Sequence, residues 1–288
     1  MSERARTESI VEKKESIEFL PYFPTDLERA KTGFEKFNEV FEKSKILKKI
    51  AKKDKFFKST ISYCVMGLMP ETGYFGGGGF AELDTEDERA ELKKIYEEKL
   101  CLKTLHQQRF DAKEKWDHSI FNPASVEKAI KKCPITGLFP KAAEANPMKW
   151  VLENPQEWAL GKDPSTPQLT ARFGILSGYP PYASSVYYEY ATSEESFINK
   201  KLAKRERKAY YKYANSSKEI RVFPKNLEKR FGEAIKNKEI SEFQAQLLKN
   251  WFSYSGALEF FGDGFSDKDQ QFFDNIKKIF KALNINYQ

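Results

Sequence analysis

The sequence predicts a mainly α, multi-helix protein, with long helices at both ends and a proline-punctuated middle of short ones. Three observations predict it. Apolar residues recur at three- and four-residue spacing near both ends. Between residues 122 and 167 four Asn-Pro or Thr-Pro pairs place a capping residue directly before a proline. Nowhere do strand and helix patterns alternate as a parallel sheet would require.

The first twenty residues mix Glu3, Glu8, Glu12, Glu15 and Glu18 with Arg4, Arg6, Lys13 and Lys14. A transit peptide is poor in acids, so residues 1–20 read as a charged tail. A helix follows in which Leu27, Ala30, Phe34, Phe37 and Phe41 line one face. Thr25 and Glu28 form a candidate capping box for it. The run Ser59–Met69 is the best strand candidate, equally compatible with a buried helix. Thr85, boxed by Glu88, opens a second long helix toward Trp116. Asn122-Pro123, Asn146-Pro147, Asn154-Pro155 and Thr166-Pro167 each mark a short helix start, and Gly161 and Gly178 mark stops. Further starts are expected at Thr192 (with Glu195), Ser241 (with Gln244) and Ser266. The last helix carries Phe272, Phe273, Ile276, Ile279, Phe280 and Leu283. The chain divides into the tail, an N-terminal helical region 21–119 with a glycine-rich loop, and a C-terminal helical region 120–288.

Three cysteines, Cys64, Cys101 and Cys133, have no paired spacing. They fit a reducing intracellular compartment, organelles included, rather than a disulfide framework. The longest charge-free run, Phe173 to Tyr188, is broken by Gly178, Pro180 and Pro181. A spanning helix needs about 20 apolar residues, so no transmembrane segment is expected.

Motifs of specific chemistry are scarce. Gly76, Gly78 and Ala81 match the spacing of a dinucleotide-binding loop, but the preceding strand and following acid-tipped strand are missing. Glu82, Asp84, Glu86, Asp87 and Glu88 would repel a phosphate from the helix that follows. The loop therefore reads as a flexible joint, or as a point where another chain approaches the backbone. His106 and His118, on one helix, would lie about 120° and some 18 Å apart. Ser125 and Lys128 match S-x-x-K and Lys31-Thr32-Gly33 matches K-T-G, in the wrong order and without an S-D-N partner. No catalytic residue, cofactor site or metal site is nominated.

Charge and aromatic content give the candidate surfaces. The net charge is +7, yet Lys43–Lys58 alone holds eight lysines against Asp54. Lys200–Phe231 holds twelve basic residues against Glu206, Glu219 and Glu228. Two basic patches thus sit on an otherwise acidic chain. The first offers Lys45, Lys48, Lys49 and Lys52 at helical spacing, with Ile46, Leu47 and Ile50 inward. The second offers Lys204, Arg205, Arg207, Lys208, Lys212 and Arg221, interleaved with Tyr210 and Tyr211. Basic and aromatic side chains together can neutralise phosphates and stack on bases. They equally suit an acidic protein or an anionic surface. Residues 171–191 crowd Tyr179, Tyr182, Tyr187 and Tyr188 beside glycines and prolines, as a docking surface or as a packed helical corner. The leading expectation is a non-enzymatic helical interaction or structural protein, a subunit of a larger assembly. An RNA- or DNA-binding protein is the alternative, and an enzyme of unknown chemistry comes third.

Overall fold

The computed structural model of the protein describes residues 19–73, 77–108, 116–159, 166–214, 222–250 and 267–285. Most of the charged tail, Gly76, Gly161, Arg221 and the helix start at Ser266 lie outside these residues.

Helices dominate, long at the ends and short between. They begin with α1 (Leu27–Lys43), α2 (Lys45–Lys53), α3 (Phe57–Val65) and α4 (Glu86–Lys94). The middle holds α5 (Pro123–Lys131), α6 (Lys141–Ala145), α7 (Pro147–Glu153) and α8 (Pro167–Leu176). Then come α9 (Pro181–Ser193), α10 (Lys204–Ala214), α11 (Lys225–Lys236), α12 (Glu242–Asn250) and α13 (Asp267–Ala282). All four X-Pro pairs start helical turns. Asn122, Asn146 and Thr166 accept the amides of Ser125, Lys149 and Leu169, and Pro155 opens a 3-10 turn. α8 stops where expected. Gly178 takes φ +89°, and the amides of Gly178 and Tyr179 close back onto Ile175 and Gly174. The capping box at α12 is reciprocal: Ser241 N–H donates to Gln244 Oε1 and Gln244 N–H to Ser241 Oγ, at 2.8 and 3.0 Å.

Three expectations are corrected, and one open choice is resolved. α1 is capped by Asp26, which accepts Arg29 N–H at 2.9 Å, while Thr25 is buried and donates to Met66 O at 2.9 Å. Of the two readings open for Ser59–Met69, the buried helix holds as far as Val65 and the strand does not. Phe57, Ile61, Cys64 and Val65 bury one face of α3, and Gly33 of α1 lets the helices meet, since a Cβ there would sit 2.5 Å from Val65 O. No helix starts at Thr192. α9 runs through it into a π turn, Glu194–Asn199, and the Thr192 hydroxyl bonds Tyr188 O within the helix at 2.8 Å.

The last correction is the largest. The helix from Thr85 does not reach Trp116. It ends in a π turn, Ile95–Lys99, and Cys101 adopts φ +57°. The chain then enters β2 (Lys103–Gln108) and returns as β3 (Trp116–Phe121), with β1 (Glu71–Thr72) on the far side of β3, all antiparallel. Lys, Gln and Leu tolerate a helix well, so composition misleads there. The cross-strand partner decides the matter.

Among the described residues the core falls into four apolar clusters, and β3 separates two of them. Ile120 points into the cluster of α1, α2, α3, Phe80, Tyr96 and Leu102. Phe121, on the opposite face of the strand, joins α5 through α8 and Trp158. α9 through α12 pack around Tyr210, Phe197 and Phe231. α13 closes on Tyr22, Phe23, Met66 and Leu68.

Candidate functional site

α10 carries the second basic patch. Its buried residues are Tyr210, Tyr213 and Ala214, so the helix turns its aromatics inward. Tyr210 is fully buried and donates to Leu248 O at 3.1 Å. Tyr211 donates to Asn199 Oδ1 at 3.0 Å. Burial pushes both phenols' pKa values up, and Glu194 adds to the effect. Lys204, Arg205, Lys208 and Lys212 project to solvent on the other side, and Arg207 is half-buried. Lys204, Arg205 and Lys208 make no ion pair among the described residues. The interleaving seen in sequence therefore separates in space into a cationic exterior and an underside of Tyr210 and Tyr213, with Tyr211 half-buried between them.

α2 carries the first patch, and Ile46, Leu47 and Ile50 are buried beneath it as expected. Its lysines are largely answered from within the chain. Lys49 Nζ meets Glu88 at 2.7 Å and Asp84 at 3.0 Å, Lys48 meets Glu42 at 2.9 Å, and Lys53 reaches Asp84 at 3.8 Å. These contacts hold the Glu42, Asp84 and Glu88 carboxyls below the usual carboxylate range, hydrogen bonding being the larger cause. Lys45 and Lys52 stay exposed without an ion pair among the described residues.

The same acids account for the start of α4. Asp84 N–H donates to Glu88 Oε2 and Glu88 N–H to Thr85 Oγ1, at 3.1 and 3.2 Å. The helix start meets its own carboxylate, and the nearby charge is negative, which disfavours a phosphate. The glycines before it form a packed turn rather than a joint. Gly78 and Gly79 take φ +53° and +85°. A Cβ on Gly78 would strike the Ile120 side chain, and one on Gly79 would sit 2.6 Å from the Phe57 ring. Tyr96 OH donates to Gly78 O at 2.6 Å. The close approach is made by this chain itself.

The hairpin brings the two histidines together. His106 and His118 face each other across β2 and β3, with ring centroids 4.1 Å apart, and Phe80 stacks on the other face of His118 at 4.1 Å. Burial, then the His106 ring, then Arg89 lower the His118 pKa to about 4. Burial also lowers that of His106. Both rings are neutral at pH 7. Stacked imidazoles keep their lone pairs in parallel planes, so the two do not converge on one ion. Among the described residues no group of three or more His, Cys, Asp or Glu could hold a metal. A reversal of the chain between His106 and His118 was the signal needed, and strand-compatible alternation there was too weak to give it.

Residues 171–191 form the α8–α9 corner. Gly174 and Ser184 meet across it, a Cβ on the glycine falling 2.6 Å from the serine oxygen. Tyr179 and Tyr188 are half-buried and Tyr187 is 38% exposed. Tyr182 packs edge-on to Tyr22, with Lys268 Nζ 5.0 Å from its ring centroid. The tyrosines are spread over the corner's packing edges. Ser125 is buried, donating to Gly67 O at 3.1 Å, and Lys128 donates to Thr25 O at 3.3 Å. Both members of the S-x-x-K match thus answer backbone carbonyls. Two buried carboxylates escaped the sequence reading: Glu71 on β1, 2% exposed, and Asp269 on α13, which accepts Ala183 N–H at 3.3 Å.

Comparison of the chain with protein-family models, with curated proteins and with solved structures found no match. No helix among the described residues is long and apolar enough to cross a membrane.

Proposed function

We propose that this chain is a non-enzymatic, helical interaction protein, a subunit of a larger assembly that meets an acidic protein partner with the outer face of α10. The supporting observation is the division of that helix. Tyr210 and Tyr213 are buried, and Lys204, Arg205, Lys208 and Lys212 face water. A face that is charged, with Tyr210 and Tyr213 buried and only Tyr211 partly accessible, favours an acidic protein over single-stranded nucleic acid, whose binding draws on base stacking. Such a face acts mainly on association rate and specificity.

The test is a native pull-down with nuclease and salt controls, comparing the wild type with a Lys204→Glu, Lys208→Glu, Lys212→Glu variant. The reading expects defined protein partners that survive nuclease and are lost with the variant, whose melting temperature stays close to the wild type. Capture abolished by nuclease, with a steep salt dependence, would transfer the patch to a nucleic-acid role.

A further inference from the structure

A second surface lies at the far end of the chain. Phe19, Leu20 and Pro21 form one wall of an open depression of about 680 Å³. The opposite wall is a stripe of α13 made by Gln271, Asp274, Asn275, Lys278 and Lys281, with Lys277 beside it. Those positions fall at i, i+3, i+4, i+7 and i+10, one side of a helix.

Three properties of this groove point to one kind of occupant. Its volume lies in the range of about 300–1,000 Å³ typical of ligand clefts. Lys277, Lys278 and Lys281 are exposed and make no ion pair among the described residues. The one carboxylate on the stripe, Asp274, already accepts Gln270 Nε2 at 3.1 Å. Asn275 is 3% exposed, and its Nδ2 has no hydrogen-bond partner. A buried donor without an acceptor is uncommon and calls for an explanation. The groove therefore offers an apolar wall, a row of cations and an amide donor short of an acceptor.

We propose that this groove docks an extended acidic segment of a partner protein. In an extended chain successive side chains point to opposite sides. Acidic residues then face Lys278 and Lys281, apolar ones face Phe19 and Leu20, and a main-chain carbonyl accepts from Asn275. Main-chain hydrogen bonding gives affinity in such complexes, and side-chain alternation gives specificity. A lone metal ion is a poor fit, because the stripe carries one carboxylate. The proposal rests on the reading of the chain as a partner-binding subunit and names a second contact for it.

The probe is a short fluorescein-labelled peptide of alternating glutamate and leucine, titrated into the full chain by fluorescence anisotropy. Its counterpart carries glutamine at each glutamate. The glutamate peptide should bind at least about tenfold tighter than the glutamine one, and the gap should shrink with added salt. Lys278→Glu with Lys281→Glu should abolish that preference. Asn275→Leu should weaken binding about tenfold while the melting temperature holds or rises, because a purely structural amide would leave binding untouched. Equal binding of the two peptides, or unchanged binding by both variants, would overturn the proposal. So would an unlabelled peptide of residues 1–18 of this chain displacing the probe far better than any acidic peptide, since the groove would then hold its own chain. The α10 variant separates the two readings. If it loses partners while the groove variants behave as wild type, the groove proposal fails and the α10 reading stands.

Discussion

α2 and α10 look alike in sequence. Each is rich in lysine or arginine, and each buries an apolar side. They differ in what answers the charge. On α2, Lys48 meets Glu42 of α1, and Lys49 and Lys53 meet Asp84 and Glu88, tying the helix to the start of α4. On α10, Lys204, Arg205 and Lys208 find no carboxylate among the described residues. The aromatic content is divided differently too, since α2 buries isoleucine and leucine where α10 buries tyrosine. Charge density read along a chain therefore does not measure charge available to a partner. A patch whose counter-charges lie within the fold works as an internal fastening, and one without them remains open to association.

The most forceful way to break this contrast is from beneath. Tyr210→Ala removes a fully buried ring together with its bond to Leu248 O and should cost about 3–5 kcal/mol. Tyr210→Phe keeps the ring and should cost only about 1–2 kcal/mol. Urea unfolding of the two variants checks this. Equal losses would mean that the hydroxyl, not the ring, anchors α10.

Acid sharpens the contrast at intermediate strength. The folded-state pKa of His118 is lowered to about 4 from an ordinary 6.5. Between those values the unfolded chain binds more protons, so stability is flat above pH 6.5 and falls as pH drops toward 4. Discounted for the ring's partial exposure, the loss amounts to at most about 2 kcal/mol. Glu194, beside α10, behaves oppositely. Burial raises its pKa, so acidification relieves a buried charge and adds stability there. Hydrogen exchange from pH 7 to pH 5 should show protection falling at β2 and β3 while α9 and α10 hold. His118→Phe should remove most of the fall. Uniform loss across both regions would erase the distinction.

The smallest effect concerns single lysines. Lys49→Met should lower the melting temperature, and less so at high salt, because it leaves Glu88 without its lysine and Asp84 with only the longer contact to Lys53. Lys208→Met should leave it unchanged. Equal behaviour would show that the α2 pairs contribute nothing beyond the exposed lysines of α10.

Much of the fold was legible because its signals are local. Proline after Asn122, Asn146 and Thr166 starts a helix by removing an amide that would lack a partner, and Ser241 with Gln244 closes a box within one turn. The inward row Ile46, Leu47 and Ile50 follows from spacing alone. The β2–β3 pairing did not show, because each strand's defining partner is remote from it in sequence and its residues suit a helix equally well. At the candidate surfaces, charge density was readable, but the pairing of Lys49 with Asp84 spans thirty-five residues. The inward turn of Tyr210 depends on Leu248, still farther along. The Asn275 amide carries no sequence signal, since its lack of an acceptor is a property of the packed groove.

The C-terminal end of α3 bears on how quickly the chain reaches its native state. The carbonyls of Met66, Gly67 and Cys64 are met by Thr25 Oγ1, Ser125 Oγ and Asn122 Nδ2, at sequence separations of 41, 58 and 58 residues. A helix terminus served in this way has to wait for remote segments to arrive, so its loop-closure entropy is spent before its contacts repay it. Refolding kinetics should accordingly show the amides around Gly67 gaining protection together with those of α5, and later than the self-capped N-terminal end of α12.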